Sequence, residues 1–399
     1  MQGKERLNQW GIKDYVKNII MILAKIPIWL LQLMFFWLPI QKNKIIIYSL
    51  KQHGYSCNLK YLTDYLQREM PDKFEILWIV RREEDYYPLR RLGIPVAMLH
   101  SKEHFINRMS SGVVITNDEF YPMFLRRRKQ LYINTWHGGI NYKKIGYEGL
   151  EFTNPIQKLI YKLNNPRPDL FVSGSRSFTE TCSLAFGFSR DIFLECGLPR
   201  NDILCRSKDA AQIEQIKQRL GIGPEKKVLL YAPTFRKGGM GPREQMDFRK
   251  VRAALTNKFG GDWMILVRQH YFVHAEAEER ERFLMNVSGY EDTQELLLCS
   301  DCLISDYSSC MWDYLLTGNP CFVFAPDLNQ YDSQDRSFFI PTYQWPYPIS
   351  CSSDELCQEI MEFDPELFAR RVKQHREKYG SFDTGHACEI LTQNIIDRI

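Results

Sequence analysis

From Lys44 onward the chain alternates short β-branched runs with helical stretches, and this alternation limits the open folds more than any other feature. Strand-like runs fall at 45–49, 76–80, 95–99, 113–116, 131–135, 170–173 and 193–196, with helical stretches such as 58–68 and 178–186 between most of them. Strands separated by helices are the sequence form of a doubly wound parallel sheet, since parallel neighbours need a crossover and the crossover helices cover both faces. After Gly197-Leu198-Pro199-Arg200-Asn201-Asp202 a charged, helix-prone stretch to Leu220 and a turn at 221–225 interrupt the pattern. It restarts at 228–232, 264–267, 302–305 and 321–324, then closes on helical segments at 354–363, 366–379 and 386–396. A length of 399 residues is too great for one ordinary core. The expected fold is α/β, with two doubly wound Rossmann-like domains over 41–205 and 206–375 and a C-terminal helix over 376–399.

The first forty residues differ from the rest. Lys4, Arg6, Lys13 and Lys17 interleave with Trp10, Ile12, Tyr15, Val16, Ile19 and Ile20, and 26–40 then runs without a charge. A spanning helix needs about 20 apolar residues, which here would take in Lys25 and Pro27. No small-residue cleavage site follows the run. Residues 1–40 are therefore expected to form a basic, aromatic-rich helical segment associated with the cytoplasmic face of a membrane, against the alternative of a helix packed on the protein's own core.

A net charge of +4 with 25% charged residues gives no support to a nucleic-acid partner. Eleven cysteines scattered through apolar runs suggest reduced thiols. Cys299 and Cys302 form one C-x-x-C with no second pair at zinc-ligand spacing, and read as core thiols. No P-loop, dinucleotide or zincin motif is present.

The chemistry-bearing residues cluster at the carboxyl ends of the strand-like runs, where α/β proteins bind ligands. In the first domain Asn134-Thr135-Trp136-His137-Gly138-Gly139 follows a strand, and His137 is the candidate general base, with Gly138 beside it. Taken alone, His137 also reads as a histidine satisfied in a loop. His53, after the first strand, is a weaker candidate for the same cleft. In the second domain three strand ends carry Thr234 and Arg236, then Arg268 and His270, then Asp306, Ser308 and Ser309 at the start of a helix that includes Asp313. A lone Ser308 would read as an N-cap. Donors on three strand ends plus a helix N-terminus together describe a diphosphate site.

Several of these segments, in this order, resemble the CDP-glycerol glycerophosphotransferase family of teichoic-acid and capsule synthesis: 135–138, 197–202, 231–236, 305–309, 324–328 and 382–387. The resemblance covers nearly everything after the N-terminal segment. It implies a GT-B fold, two Rossmann-like domains facing a cleft, with the CDP-linked donor in the C-terminal domain and the acceptor mainly on the N-terminal one. It implies His137 as catalytic base and Thr234, His270, Ser308 and Ser309 as donor diphosphate contacts. The family often has Thr where this chain has Gly139, and Gly following the arginine where this chain has Arg336-Ser337, so polyol or acceptor identity is where the chain departs.

The expected activity is transfer of glycerol phosphate, or a related polyol phosphate, from CDP-glycerol or another CDP-alditol to a hydroxyl of a lipid-linked saccharide or growing polymer, releasing CMP. No cofactor is required in this reading, although Asp306 and Asp313 leave room for Mg2+ near the phosphates. The alternatives are a nucleotide-sugar glycosyltransferase of the same fold and a catalytically silent membrane-bound assembly subunit.

Overall fold

The computed structural model describes residues 20, 23, 26–49, 54–118, 125–146, 166–206, 209–234, 246–268, 282–328 and 338–399. The chain threads α1 (Ile26–Leu33), β1 (Gln41–Tyr48), α2 (Cys57–Glu69), β2 (Glu75–Val80), α3 (Glu83–Arg91), β3 (Val96–Met98), α4 (Lys102–Ser110), β4 (Ser111–Thr116), β5 (Leu131–Asn134), β6 (Leu170–Ser173), α5 (Arg176–Phe186) and β7 (Phe193–Glu195). It continues with α6 (Asp202–Cys205), α7 (Ala210–Arg219), β8 (Lys227–Ala232), α8 (Phe248–Phe259), β9 (Trp263–Val267), β10 (Leu284–Asn286), α9 (Thr293–Leu298), β11 (Cys302–Ser305), α10 (Cys310–Tyr314), β12 (Cys321–Phe324), β13 (Ile349–Ser350), α11 (Ser353–Met361), α12 (Pro365–Tyr379) and α13 (Ala387–Arg398).

Two parallel sheets result, ordered β3-β2-β1-β4-β5-β6-β7 and β10-β9-β8-β11-β12-β13. The strand order reverses between β1 and β4 and again between β8 and β11, which opens a crevice at the carboxyl ends of those strands. Ile45, Ile46 and Ile47 are all fully buried, because helices cover both faces of β1 and leave no side to water. Helix α2 buries Leu59, Leu62 and Leu66 on one face, each worth about 1.5–3 kcal/mol, so a charge at Leu62 would break the packing. Helix α5 starts where the Ser175 hydroxyl accepts the Phe178 N–H and stops at Gly187, whose φ of +66° favours glycine.

Every strand-like run expected from sequence is a strand. Sequence reading missed β10 and β13, which have three and two residues at sheet edges and no alternation to read.

The N-terminal segment is described only in part. Its described part is the eight-residue α1 followed by turns, and among the described residues no helix is long and apolar enough to cross a membrane. Part of it packs on the first domain: Gln32 is buried and its Oε1 accepts the Leu125 N–H at 2.7 Å, while Arg127 donates to the Leu38 carbonyl at 2.8 Å. Leu30, Leu33, Met34 and Trp37 remain exposed.

The two sheets have separate cores, but the chain crosses between them more than once. Ile140 and Tyr142, from the loop after β5, are buried in the second core. Ala387, Leu391 and Ile395 of α13 return to the first. Cys299 and Cys302 are buried and unpaired, and burial pushes the Cys299 thiol up to about 12, which suits packing rather than redox chemistry.

Candidate active site

Strand β5 ends at Asn134, and the chain leaves the sheet through a strained turn. Trp136 sits at φ +49°, where a bulky residue rarely lies. The Asn134 side chain accepts the Trp136 N–H at 2.7 Å, and Asn58 Nδ2 donates to the carbonyls of Thr135 and Trp136 at 3.0 and 2.8 Å. Those bonds over-determine the turn and deliver His137 at its end. The imidazole stacks on Trp136 with centroids 4.6 Å apart, and His137 Nδ1 lies 2.9 Å from the Asn117 carbonyl. A carbonyl oxygen only accepts, so Nδ1 carries the proton and Nε2 keeps its lone pair. Asp118 Oδ1 is 3.7 Å from the same Nδ1 and is almost fully buried. A carboxylate there stabilises the imidazolium that forms when Nε2 takes a proton. Sequence reading missed Asn58, Asn117 and Asp118. The available signal for the last two was their place just beyond the 113–116 run, on the strand beside β5.

On the opposite side, β8 and β11 flank the second switch point. Asp306 is fully buried, and its carboxylate accepts the Thr234 N–H at 2.9 and 3.0 Å and the Thr234 hydroxyl at 3.0 Å. It braces the two strand ends against each other. Ser308 accepts the Cys310 N–H at 3.3 Å. Ser309 is the N-cap residue of α10 yet makes no side-chain cap bond, and its hydroxyl has no hydrogen-bond partner among the described residues. It faces the His137 loop: a Cβ placed on Gly138 would lie 3.6 Å from Ser309 Oγ. Gly138 thus has room for a side chain. The steric demand falls on its neighbour, since a Cβ on Gly139 would meet the Trp312 ring at 3.0 Å.

The remaining candidates are distributed differently. Arg268 is largely buried, which pulls its pKa down, and its guanidinium donates to the carbonyls of Val287 and Tyr290. Asp313 is buried in the seam between the domains, bonded to Arg200 at 2.5 Å and to Asn201 and Gln294 at 3.1 Å each. Both carboxylates expected near a Mg2+ ion are thus held by protein donors. Among the described residues no group of three or more His, Cys, Asp or Glu side chains is arranged to hold a metal. His53, Arg236, His270 and Arg336 lie outside the described residues.

The model of the CDP-glycerol:poly(glycerophosphate) glycerophosphotransferase family matches residues 30–397. The chain is 30% identical over 373 residues to a teichoic acid glycerol-phosphate transferase of Staphylococcus aureus, covering 88% of this chain and 93% of that one. It is 28% identical over 369 residues to a teichoic acid poly(glycerol phosphate) polymerase of Staphylococcus epidermidis, covering 88% of this chain but only 50% of the polymerase. A solved structure of the wall teichoic acid polymerase TagF, a variant soaked with CDPG, superposes with a TM-score of 0.80 at 25% identity over 98% of both chains. With the family match spanning both sheets, the chain belongs to the CDP-glycerol:poly(glycerophosphate) glycerophosphotransferase family.

Proposed function

We propose that this chain is a GT-B transferase that moves glycerol phosphate, or a related polyol phosphate, from a CDP-linked donor to a hydroxyl of a lipid-linked saccharide or growing teichoic-acid polymer. The observation that carries the reading is the approach of the His137 loop to Ser309 across the cleft. One wall offers a histidine whose Nδ1 proton faces the Asn117 carbonyl, which makes Nε2 the basic nitrogen, and the other offers an unpartnered hydroxyl at a strand end. His137 Nε2 takes the proton of the acceptor hydroxyl as its oxygen attacks the β-phosphorus in line. The phosphoanhydride bond breaks, a phosphodiester forms, and CMP leaves with the bonding electron pair. Ser308, Ser309 and Arg268 hold the diphosphate charge, with Thr234 braced on Asp306 beside them and with Arg236 and His270, which follow β8 and β9 in the sequence.

The enzyme acts as a peripheral protein on the cytoplasmic side of a bacterial cell membrane. The exposed apolar side chains of Leu30, Leu33, Met34 and Trp37 support this, and so do Arg126, Arg128 and Lys129 on the neighbouring loop. The test is CMP release by purified protein supplied with a panel of CDP-alditols and nucleotide sugars, with membranes as acceptor, in the presence and absence of a chelator. His137→Ala should lower turnover about a hundredfold or more with donor affinity little changed. CMP-independent sugar transfer, or a fully active His137→Ala enzyme, would refute the assignment.

A further inference from the structure

The loop that carries His137 is stitched to both domains in alternation. The Gly139 carbonyl accepts the Ser175 hydroxyl at 2.7 Å, and Asn141 Nδ2 donates to Thr181 at 2.9 Å, both on the first domain. Between and after them, Ile140 and Tyr142 enter the core of the second. Tyr142 is the deeper anchor. Its carbonyl accepts the Phe339 N–H at 2.8 Å, and its ring packs on Trp345 with centroids 4.8 Å apart. Its hydroxyl lies 3.1 Å from both the Tyr347 hydroxyl and His375 Nε2. His375 Nδ1 is 3.1 Å from the Gln344 carbonyl, so Nδ1 carries the proton and Nε2 accepts from Tyr142, which in turn accepts from Tyr347. The His375 ring meets Trp312 edge-on at 5.7 Å, and Trp312 lies three residues beyond Ser309 and against Gly139.

We propose that Tyr142 is a positioning residue that ties the His137 loop to the donor-side domain through His375 and Trp312, setting the base in register with the Ser309 strand end. This rests on His137 being the base. Loss of the anchor should misplace the base without disturbing donor contacts.

The experiment measures steady-state kinetics and donor affinity by calorimetry for full-length Tyr142→Phe and Tyr142→Ala, each corrected for folded fraction, with His137→Ala alongside. Tyr142→Ala should lower kcat about tenfold or more. Tyr142→Phe keeps the ring and should retain much of that activity, while donor Kd stays within about twofold for both. Should Tyr142→Ala fail to fold, Gly139→Ala displaces the loop from Trp312 by an independent route and should give the same split between kcat and donor affinity. Unchanged kcat per folded molecule, or donor affinity falling in step with kcat, would overturn the positioning role. An active His137→Ala enzyme would instead overturn the reading beneath it.

Discussion

Asp313 separates a structural role from a catalytic one, and removing its carboxylate should damage the fold before it damages donor binding. The carboxylate is 1% exposed and pairs with Arg200, itself 9% exposed, across the seam between the two domains. It also accepts from Asn201 and Gln294. Asp313→Ala leaves the guanidinium facing only the Cys57 thiol at 3.4 Å, with its Nε already lacking a partner. Breaking a buried pair from one side costs about 3–5 kcal/mol. At roughly 2–4 °C per kcal/mol for a unit of about 200 residues, the apparent Tm should fall by about 6–20 °C. Asp313→Asn keeps an acceptor oxygen and should lose less. The double variant Arg200→Met with Asp313→Leu removes both charges and should recover much of the loss, because an apolar pair of similar volume avoids the desolvation penalty. Differential scanning calorimetry and titration with CDP-glycerol on the same samples give both readouts. An Asp313→Ala protein with unchanged Tm and lost donor affinity would place this carboxylate in the ligand site and refute the reasoning.

Ser309→Ala should leave Tm unchanged, since the hydroxyl bonds to nothing among the described residues, yet weaken CDP-glycerol binding about tenfold if it contacts the diphosphate; unaltered affinity in calorimetry would remove it from the site. Burial pushes Asp383 up to about 7, with Asp313 nearby raising it further and the Leu198 N–H, Asn201 and Arg376 opposing. Its folded pKa stands above the unfolded value of about 3.9, so its contribution to stability is full below that value and is lost as pH rises through about 7. The Tm of Asp383→Asn relative to the parent should therefore climb between pH 5 and pH 8 by about 2 °C or more, and a flat difference would contradict it. Leu33→Glu with Trp37→Glu, at exposed positions, should weaken sedimentation with phosphatidylglycerol vesicles roughly tenfold or more while leaving CMP release with a soluble acceptor intact. Equal vesicle binding by the variant would exclude this surface.

Local pattern was enough to locate the strands, because a parallel strand covered on both faces must be a short apolar run, and runs such as 45–49 or 302–305 can be little else. The rule that ligands gather at the carboxyl ends of such strands then singled out His137, Thr234 and Ser309 without a structure. Edge strands β10 and β13 were illegible because two or three residues carry no periodicity. Tertiary structure alone decided what each polar group faces. Asp313 meets Arg200 from 113 residues away, and Asp118 reaches His137 from a neighbouring strand. Tyr142, on the loop that leaves the first-sheet strand β5, is buried in the second domain's core. The physical reason is that burial along one element follows from its own periodicity, whereas a partner across a cleft depends on how two separately folded sheets meet, which no local repeat encodes.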